Sequence, residues 1–263
     1  MRQRRLFDSA GVRVGEGGGA EAAAFGPGTL VLEFPQALSQ LRIADGVHLA
    51  DPTIVCVHTA GPARVDDAAW LSLSAGALSG IMSAHALERF ACRALPVQPS
   101  TYLEHLRLVE SLRGGGALDT PEIVRTVRAI ATRILNGAID PGHPCERLFS
   151  PRQRDLATNA KVLVADRAPA RLSVRAVAAR LGCSVFYLCH TFRAVERTTL
   201  GAYHTQIRLR AGARRLLEAS PVDLSDLALE LGFSSHSHFT AAFRKSFGLT
   251  PSALMHASRR IAC

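Results

Sequence analysis

The sequence predicts an α+β chain, with a β-rich N-terminal region and a helical segment behind it. An all-α C-terminal domain follows, built of two helix-turn-helix units joined by a long helix. Three observations carry this prediction. Short apolar or alternating runs, at about ten-residue spacing, fill residues 29–95. From Ser100 the apolar residues recur at helical spacing instead. In the last hundred residues or so one pattern of apolar, small and glycine residues occurs twice, 50 positions apart.

Taken in order, residues 1–24, "MRQRRLFDSAGVRVGEGGGAEAAA", are basic and then Gly-rich, with no apolar core or cleavage site of an export signal; a disordered tail is expected. Residues 25–137 form the next domain. "TLVLEF", "QLRIA", "TIVCVHTA" and "WLSLSAG" read as strands, punctuated by Gly46, Asp51-Pro52 and Gly61-Pro62, and suggest a small barrel or sandwich. "STYLEHLRLVESL" follows with Leu103, Leu106 and Val109 on a helical period behind a Ser/Thr cap. In "TPEIVRTVRAIATRIL", Thr120 is the expected cap, Pro121 sits in the first turn, and Ile123, Val127, Ile130 and Ile134 make one stripe. Residues 138–151, "AIDPGHPCERLFSP" with its Gly and Pro, read as a linker, and 152–258 as a helical domain.

Charge changes at the same place. From Arg152 onward there are 17 Lys/Arg against 7 Asp/Glu, a net of +10; the remaining 14 against 15 give −1, which together make the chain's +9. A polyanion-binding domain joined to a near-neutral one accounts for this asymmetry, and so does a merely solvated basic surface.

The repeat decides between them. Val174, Val177, Ala178, Leu181, Gly182 and Ser184 match Leu224, Leu227, Ala228, Leu231, Gly232 and Ser234. Beyond the turn the second copy has one extra residue, so Leu188, Phe192 and Arg193 match Phe239, Phe243 and Arg244. Ala178 and Ala228 let helices approach, Gly182 and Gly232 supply a left-handed end, and Ser184 and the Ser234-Ser235 pair can cap the next helix. This is the grammar of units at 174–195 and 224–247 whose second helix enters a DNA major groove. Between them, Leu200 to Ala219 reads as one helix of about 30 Å, close to the ~34 Å of a DNA turn. Tyr203, Ile207, Leu209, Leu216 and Leu217 are its apolar residues, and Gly212 in mid-helix calls for a close neighbour. Phe192, Phe239, Phe243 and Phe247 fall at core spacing.

"LSVRAVAARLGCSVFYLCHTF", "YHTQIRLRAGARRLL" and "DLALELGFSSHSHFTAAFRKSFGLTPSAL" strongly resemble the DNA-binding domain of the AraC/XylS family of transcription regulators, across about residues 155–257. "VHLADPTIVCVHTAGPARV" and "TYLEHLRLVESL" resemble, more faintly, the cupin-like sensor region and following helices of one branch of that family. The resemblance implies a cupin-like sensor with a helical dimerisation segment over 25–137 and a double-stranded DNA promoter or operator as partner. It also implies a small-molecule effector, a homodimer, and RNA polymerase if the protein activates. The implied DNA-facing set is Ser184, Phe186, Cys189, His190 and Arg193 in the first unit. In the second it is Ser235, His236, Ser237, His238, Thr240, Ala241, Arg244 and Lys245, with Lys245 near phosphates. His190 and Ala241 stand where arginine is common in the family, which weakens bidentate guanine readout. Apolar Phe186 and Ala241 are expected at thymine methyls, and histidines and serines at base edges or phosphates. Arg197 aligns with Gly248 at the helix-ending glycine; a non-glycine residue is strained there, so a different ending is expected for the first unit.

Other chemistries find little support. Cys56, Cys92, Cys145, Cys183, Cys189 and Cys263 show no C-x-x-C pair, so neither zinc nor disulfides are expected. His236 and His238, two apart on a helix, face different ways, and His48 and His58 lack a close His-x-His spacing; no metal and no cofactor are expected. "GEGGGA" lacks the Lys-Ser/Thr of a phosphate loop, and "GALSG" is no nucleophile elbow. Pro144-Cys145-Glu146-Arg147 resembles the Pro-Cys-His-Arg of alkyl-acceptor DNA repair proteins, which makes a repair regulator using Cys145 a remote alternative, but Glu stands in place of the activating His, and a nearby carboxylate disfavours a thiolate. The expected protein is thus a non-enzymatic, cytoplasmic DNA-binding transcription regulator with no membrane span that responds to a small-molecule effector. Its alternative is an effector-independent DNA binder whose N-terminal domain only oligomerises.

Overall fold

The computed structural model describes residues 4–17, 28–43, 46–59, 64–65, 67–83, 93–115, 118–138, 149–166, 172–218 and 222–261. The chain divides into two compact units, Met1–Asp140 with His256–Cys263, and Pro141–Met255. That division falls within 138–151; residues 139–148, with Cys145, lie outside the described residues, as do Cys92 and Cys263.

In the first unit β1 (Arg4–Ser9), β2 (Val12–Glu16), β3 (Leu30–Pro35), β6 (Ile54–Thr59), β8 (Ala68–Leu73) and β9 (Arg93–Pro96) form an antiparallel sheet in the order β1-β2-β8-β3-β6-β9. A second sheet holds β4 (Ser39–Ile43), β5 (Gly46–Ala50) and β7 (Arg64–Val65) in the order β5-β4-β7. The expected disordered tail is therefore wrong for residues 4–17. Val12 and Val14 alternate along β2 and are fully buried, and β2 pairs with β8 from Val12↔Leu73 to Glu16↔Ala69. Ala10 and Gly11, both at positive φ, turn β1 back onto β2. The side chains of "VRV" are what override the basic, Gly-rich composition around them. Gly46, expected to break a strand, instead begins β5 and pairs with Ile43.

Every residue of β3 is buried, so both faces of the large sheet are covered. One face carries α1 (Pro99–Arg113): the ring of Phe34 stacks on His105 at 3.8 Å, 7° from parallel. Burial pushes the His105 imidazole down to about 3, so it sits neutral in this apolar setting at physiological pH. Tyr102, Leu103, Leu106 and Val109 are also buried on α1. Its start differs from expectation: Gln98 is the cap residue without a side-chain bond, and Pro99 supplies the helical φ directly. Arg113 at its end bonds Glu16 and Glu110, tying the N-terminal hairpin to the helix. α2 (Thr120–Ala138) buries Ile123, Val127, Ile130 and Ile134, the expected stripe. Its capping side chain is Asp119, which accepts from the Glu122 amide at 2.7 Å, one residue before the expected Thr120.

The second unit is helical: α3 (Pro151–Asp166), α4 (Val174–Arg180), α5 (Val185–Glu196), α6 (Leu200–Leu217), α7 (Leu224–Glu230), α8 (His236–Phe247) and α9 (Pro251–Ile261) as far as Met255. Among the described residues no helix is long and apolar enough to cross a membrane.

Candidate nucleic-acid interface

Both repeats fold as helix-turn-helix units, and their turns are closed by the same bonds. After α4, Gly182 at φ 62° lets the Cys183 amide reach the Ala178 carbonyl (3.1 Å) and its own amide reach Ala179 (3.2 Å). After α7, Gly232 at φ 74° repeats this, with Phe233 to Ala228 at 2.9 Å and Gly232 to Leu229 at 2.8 Å. This paired closure satisfies the last carbonyls of each scaffold helix, and only glycine takes the left-handed position without strain. Ser184 Oγ then accepts from the Tyr187 amide (3.1 Å) and Ser235 Oγ from the His238 amide (3.1 Å), so each serine starts the exposed helix that follows.

Each unit has its own core. Ala157, Ala160 and Val164 of α3, Val177 and Ala178 of α4, Leu188 and Phe192 of α5, and Leu200 and Tyr203 of α6 make the first. The second is an aromatic ladder: Phe233–Phe239, Phe239–Phe243 and Phe243–Phe247, with ring centroids 5.2, 5.5 and 4.5 Å apart. Burying each ring is worth roughly 2–3 kcal/mol. All four phenylalanines expected as core are buried.

The connecting α6 is continuous over 18 residues, about 27 Å. Gly212 is required where it stands: a Cβ there would lie 2.8 Å from Leu231 Cδ1 and 3.4 Å from the Phe239 ring. The second unit therefore packs directly on the backbone of the connecting helix. Arg208 completes that joint. It is buried, it donates from Nε to the Leu231 carbonyl, and its guanidinium lies 4.0 Å from the centre of the Phe233 ring. Burial pushes its pKa below the usual arginine value. In the first unit the corresponding work falls to Lys161, whose Nζ sits 3.1 Å from Glu196 at the end of α5 and 5.6 Å from the centre of the Tyr203 ring.

The helices α5 and α8 carry the expected interface residues, and nearly all are exposed. On α5, Phe186 is 81% exposed and stacks over His190 at 6.1 Å; Cys189 and Arg193 are open to solvent. On α8, His236, Ser237, His238, Ala241, Arg244 and Lys245 are exposed, while Thr240 is half-buried. A groove of about 700 Å³ runs along this face, lined by His236, Ser237, Thr240, Ala241, Arg244, Lys245 and Thr250. The imidazoles are held: His238 Nδ1 is 2.9 Å from Ser234 Oγ, and His236 Nε2 is 3.3 Å from Thr240 Oγ1. Among the described residues no group of three or more His, Cys, Asp or Glu could hold a metal. With the N-terminal ends of both helices carrying partial positive charge, these surfaces attract phosphate.

Two parts of this arrangement were not anticipated. Val185 and Tyr187 flank Phe186 and are 41% and 38% exposed, so the tip of α5 is apolar over three consecutive residues. Their place in the first turn, ahead of the first core contact at Leu188, was the available signal. Arg208 and Lys161 carry no sequence signal of burial, and only tertiary contact reveals their role. One expectation is corrected: α5 does not end differently. Arg197 adopts φ 57°, ψ 13°, the same left-handed ending that Gly248 provides for α8 at φ 79°. Phe192 before it and Leu200 after it are buried, and Arg197 in the left-handed conformation is the link between the two helices that carry them.

Residues 177–257 match the family model described as "Helix-turn-helix domain". The regulatory protein SoxS of Salmonella typhimurium is 38% identical over 85 residues, 32% of this chain and 78% of that protein. The HTH-type transcriptional regulator GlxA of Rhizobium meliloti is 36% identical over 117 residues, 44% of this chain. The match spans about a third of that relative's length, 35%. Among solved structures, an AraC-type regulator from Chromobacterium violaceum is 26% identical, covering 41% of this chain and 96% of its own, with a TM-score of 0.38.

Proposed function

The chain belongs to the AraC/XylS family of transcription regulators, and from that premise we propose that it reads a specific, asymmetric double-stranded DNA site with α5 and α8. The observation that carries this reading is the pair of like-built units on one unbroken 18-residue helix, inside the segment that holds the chain's positive charge. About 27 Å of rigid helix suits two successive major grooves. Arg193, Arg244 and Lys245 neutralise phosphates; Phe186 and Ala241 meet thymine methyls; His190, His236, Ser237 and His238 contact base edges or phosphates. Ser184 and Ser235 act through their caps, with Thr240 steadying His236.

No reaction is part of this function. The β-rich N-terminal domain serves as sensor and dimerisation domain, and a small molecule bound there shifts the population of DNA-competent arrangements by its differential affinity for them. RNA polymerase is the further partner if the bound protein activates. Retardation of promoter DNA across a salt series tests the DNA reading. The slope of log affinity on log salt should fall by about 1 in each of R193A, R244A and K245A. No retardation of any duplex at low salt overturns it. Thermal melting against small molecules separates a sensor from a scaffold that only oligomerises, because only a ligand of the native state raises the melting temperature.

A further inference from the structure

The two exposed helices of the repeat can be laid on each other residue by residue. α5 and α8 each have 12 residues, with capping serines at Ser184 and Ser235 and left-handed endings at Arg197 and Gly248. Phe186 therefore stands where Ser237 does, Cys189 where Thr240 does, His190 where Ala241 does and Arg193 where Arg244 does. Within each helix these four lie at helical spacing, so they make one stripe that ends on an arginine. The frame is shared, and the first position of the stripe differs most: an aromatic ring in one unit, a hydroxyl in the other.

Phe186 is 81% exposed, and with Val185 and Tyr187 it supplies three of the four large apolar side chains that stand exposed among the described residues. All three lie in the first turn of α5, the end of a recognition helix that meets base edges. The Phe186 ring is 6.1 Å from that of His190 and 12° from parallel, an offset stack that steadies it along the stripe. Val185 and Phe186 carry no side-chain donor or acceptor, so neither can tell the O4 atom of thymine from the N4 amine of cytosine. What they can tell is a methyl group from a bare pyrimidine edge. In the major groove that methyl stands on C5, and 5-methylcytosine bears it on the same carbon as thymine.

We propose that Phe186, flanked by Val185, reads the C5-methyl group itself, so that the first helix-turn-helix unit accepts 5-methylcytosine in place of thymine. A site with cytosine at that position is then bound weakly until the base carries a methyl group, and tightly afterwards. This rests on the reading of α5 as a groove-entering helix and names a regulation of that same site: the methylation state of the DNA, acting without any effector in the β-rich domain.

The full chain is offered a pool of randomised duplexes, and the strongest binder becomes the probe. Each thymine of that duplex is replaced in turn by uracil, by cytosine opposite guanine, and by 5-methylcytosine opposite guanine. Affinities are measured by retardation for the parent, for Phe186→Ser, which places the Ser237 side chain at the matching position, and for Phe186→Leu. At one thymine or more, uracil and cytosine should each weaken binding about three- to fivefold, the value of one buried methyl group, and 5-methylcytosine should restore it. Phe186→Ser should bind all four duplexes alike at that position, while the apolar Phe186→Leu keeps the preference for the methyl group. Melting curves like the parent's are expected of both variants, since residue 186 is exposed. Uracil bound as tightly as thymine throughout, 5-methylcytosine that behaves as cytosine does, or a methyl preference that survives in Phe186→Ser overturns the proposal. In those three cases a duplex is still retarded and the DNA reading stands. If no duplex of the pool is retarded, the DNA reading itself fails and this proposal falls with it.

Discussion

The first and second helix-turn-helix units share their turn closure, their serine caps and their left-handed endings, yet they differ in what they present and in how they are fixed. The tip of α5 is apolar, with Val185, Phe186 and Tyr187 exposed in series. The tip of α8 is polar, with His236, Ser237 and His238 exposed and two imidazoles tethered to hydroxyls. The first unit is joined to its support by a lysine–carboxylate pair, Lys161 to Glu196. The second is locked onto the connecting helix by Arg208, Gly212 and an aromatic ladder. Duplication of a fold thus leaves the buried half of each helix under one set of packing rules. The exposed half and the joints are free to diverge. An apolar tip can distinguish thymine by its methyl but forms no directional bonds, whereas a tethered imidazole selects by donor and acceptor position.

The largest effect should come from breaking the second joint at its centre. Leu231 is 8% exposed, its side chain lies against Gly212, and its own carbonyl accepts from Arg208. Leu231→Asp buries an unpaired charge beside Phe239 and should cost several kcal/mol, enough to unfold the second unit. Circular dichroism melts should show a lower transition, and amide exchange should show loss of protection over α7 and α8 with α4 and α5 retained. Equal loss in both units would mean that they are not independent packing entities. Next in size is Arg208→Met, which keeps the apolar stem but removes the charged hydrogen bond and the contact with Phe233. A loss of about 2 kcal/mol is expected. Because Arg208 positions the second reader without touching phosphate, affinity for DNA should drop while the salt slope stays at the parent value. A slope that falls by about 1 would make Arg208 a phosphate ligand instead.

The difference between the two tips is sharpened by exchanging the test. Phe186→Ala should lose discrimination at a thymine in one half of the site, and His236→Ala at a position in the other, each by about 1–3 kcal/mol measured as the ratio of specific to scrambled affinity. If both variants weaken scrambled and specific DNA equally, neither side chain reads bases and both act through the backbone.

The helical domain was far more legible than the β-rich one, and the reason lies in the kind of signal each leaves. In 174–247 the pattern is doubled, so a weak local signature at Gly182 and Ser184 is backed by its copy at Gly232 and the Ser234-Ser235 pair. Helix spacing also announces the buried phenylalanines. In the β-rich domain, β1 and β2 are edge-side strands of five or six residues inside a Gly-rich, basic stretch. Their pairing partner β8 lies more than fifty positions away, from Val12 to Leu73. Nothing local distinguishes such a hairpin from a tail. The site residues on α5 and α8 could be named from the repeat, because exposed positions of a helix follow once its core positions are known. Arg208 and Lys161 could not, since burial of a charge is decided by partners distant in sequence.

The smallest effect concerns the two endings. Arg197 and Gly248 hold the same left-handed backbone, at φ 57° and 79°, though only glycine does so freely. For a residue with a Cβ that conformation costs about 1–2 kcal/mol, and glycine returns part of the gain through its looser unfolded chain, roughly 0.5–1 kcal/mol. Arg197→Gly should therefore stabilise the second structural unit by well under about 1 kcal/mol, while Gly248→Arg, at the matching place, should destabilise it by about 1 kcal/mol. Opposite signs in paired thermal melts are the expected outcome. If Arg197→Gly also melts lower, the arginine side chain contributes bonds that outweigh its backbone strain, and the first reader was built to end on that residue rather than merely tolerating it.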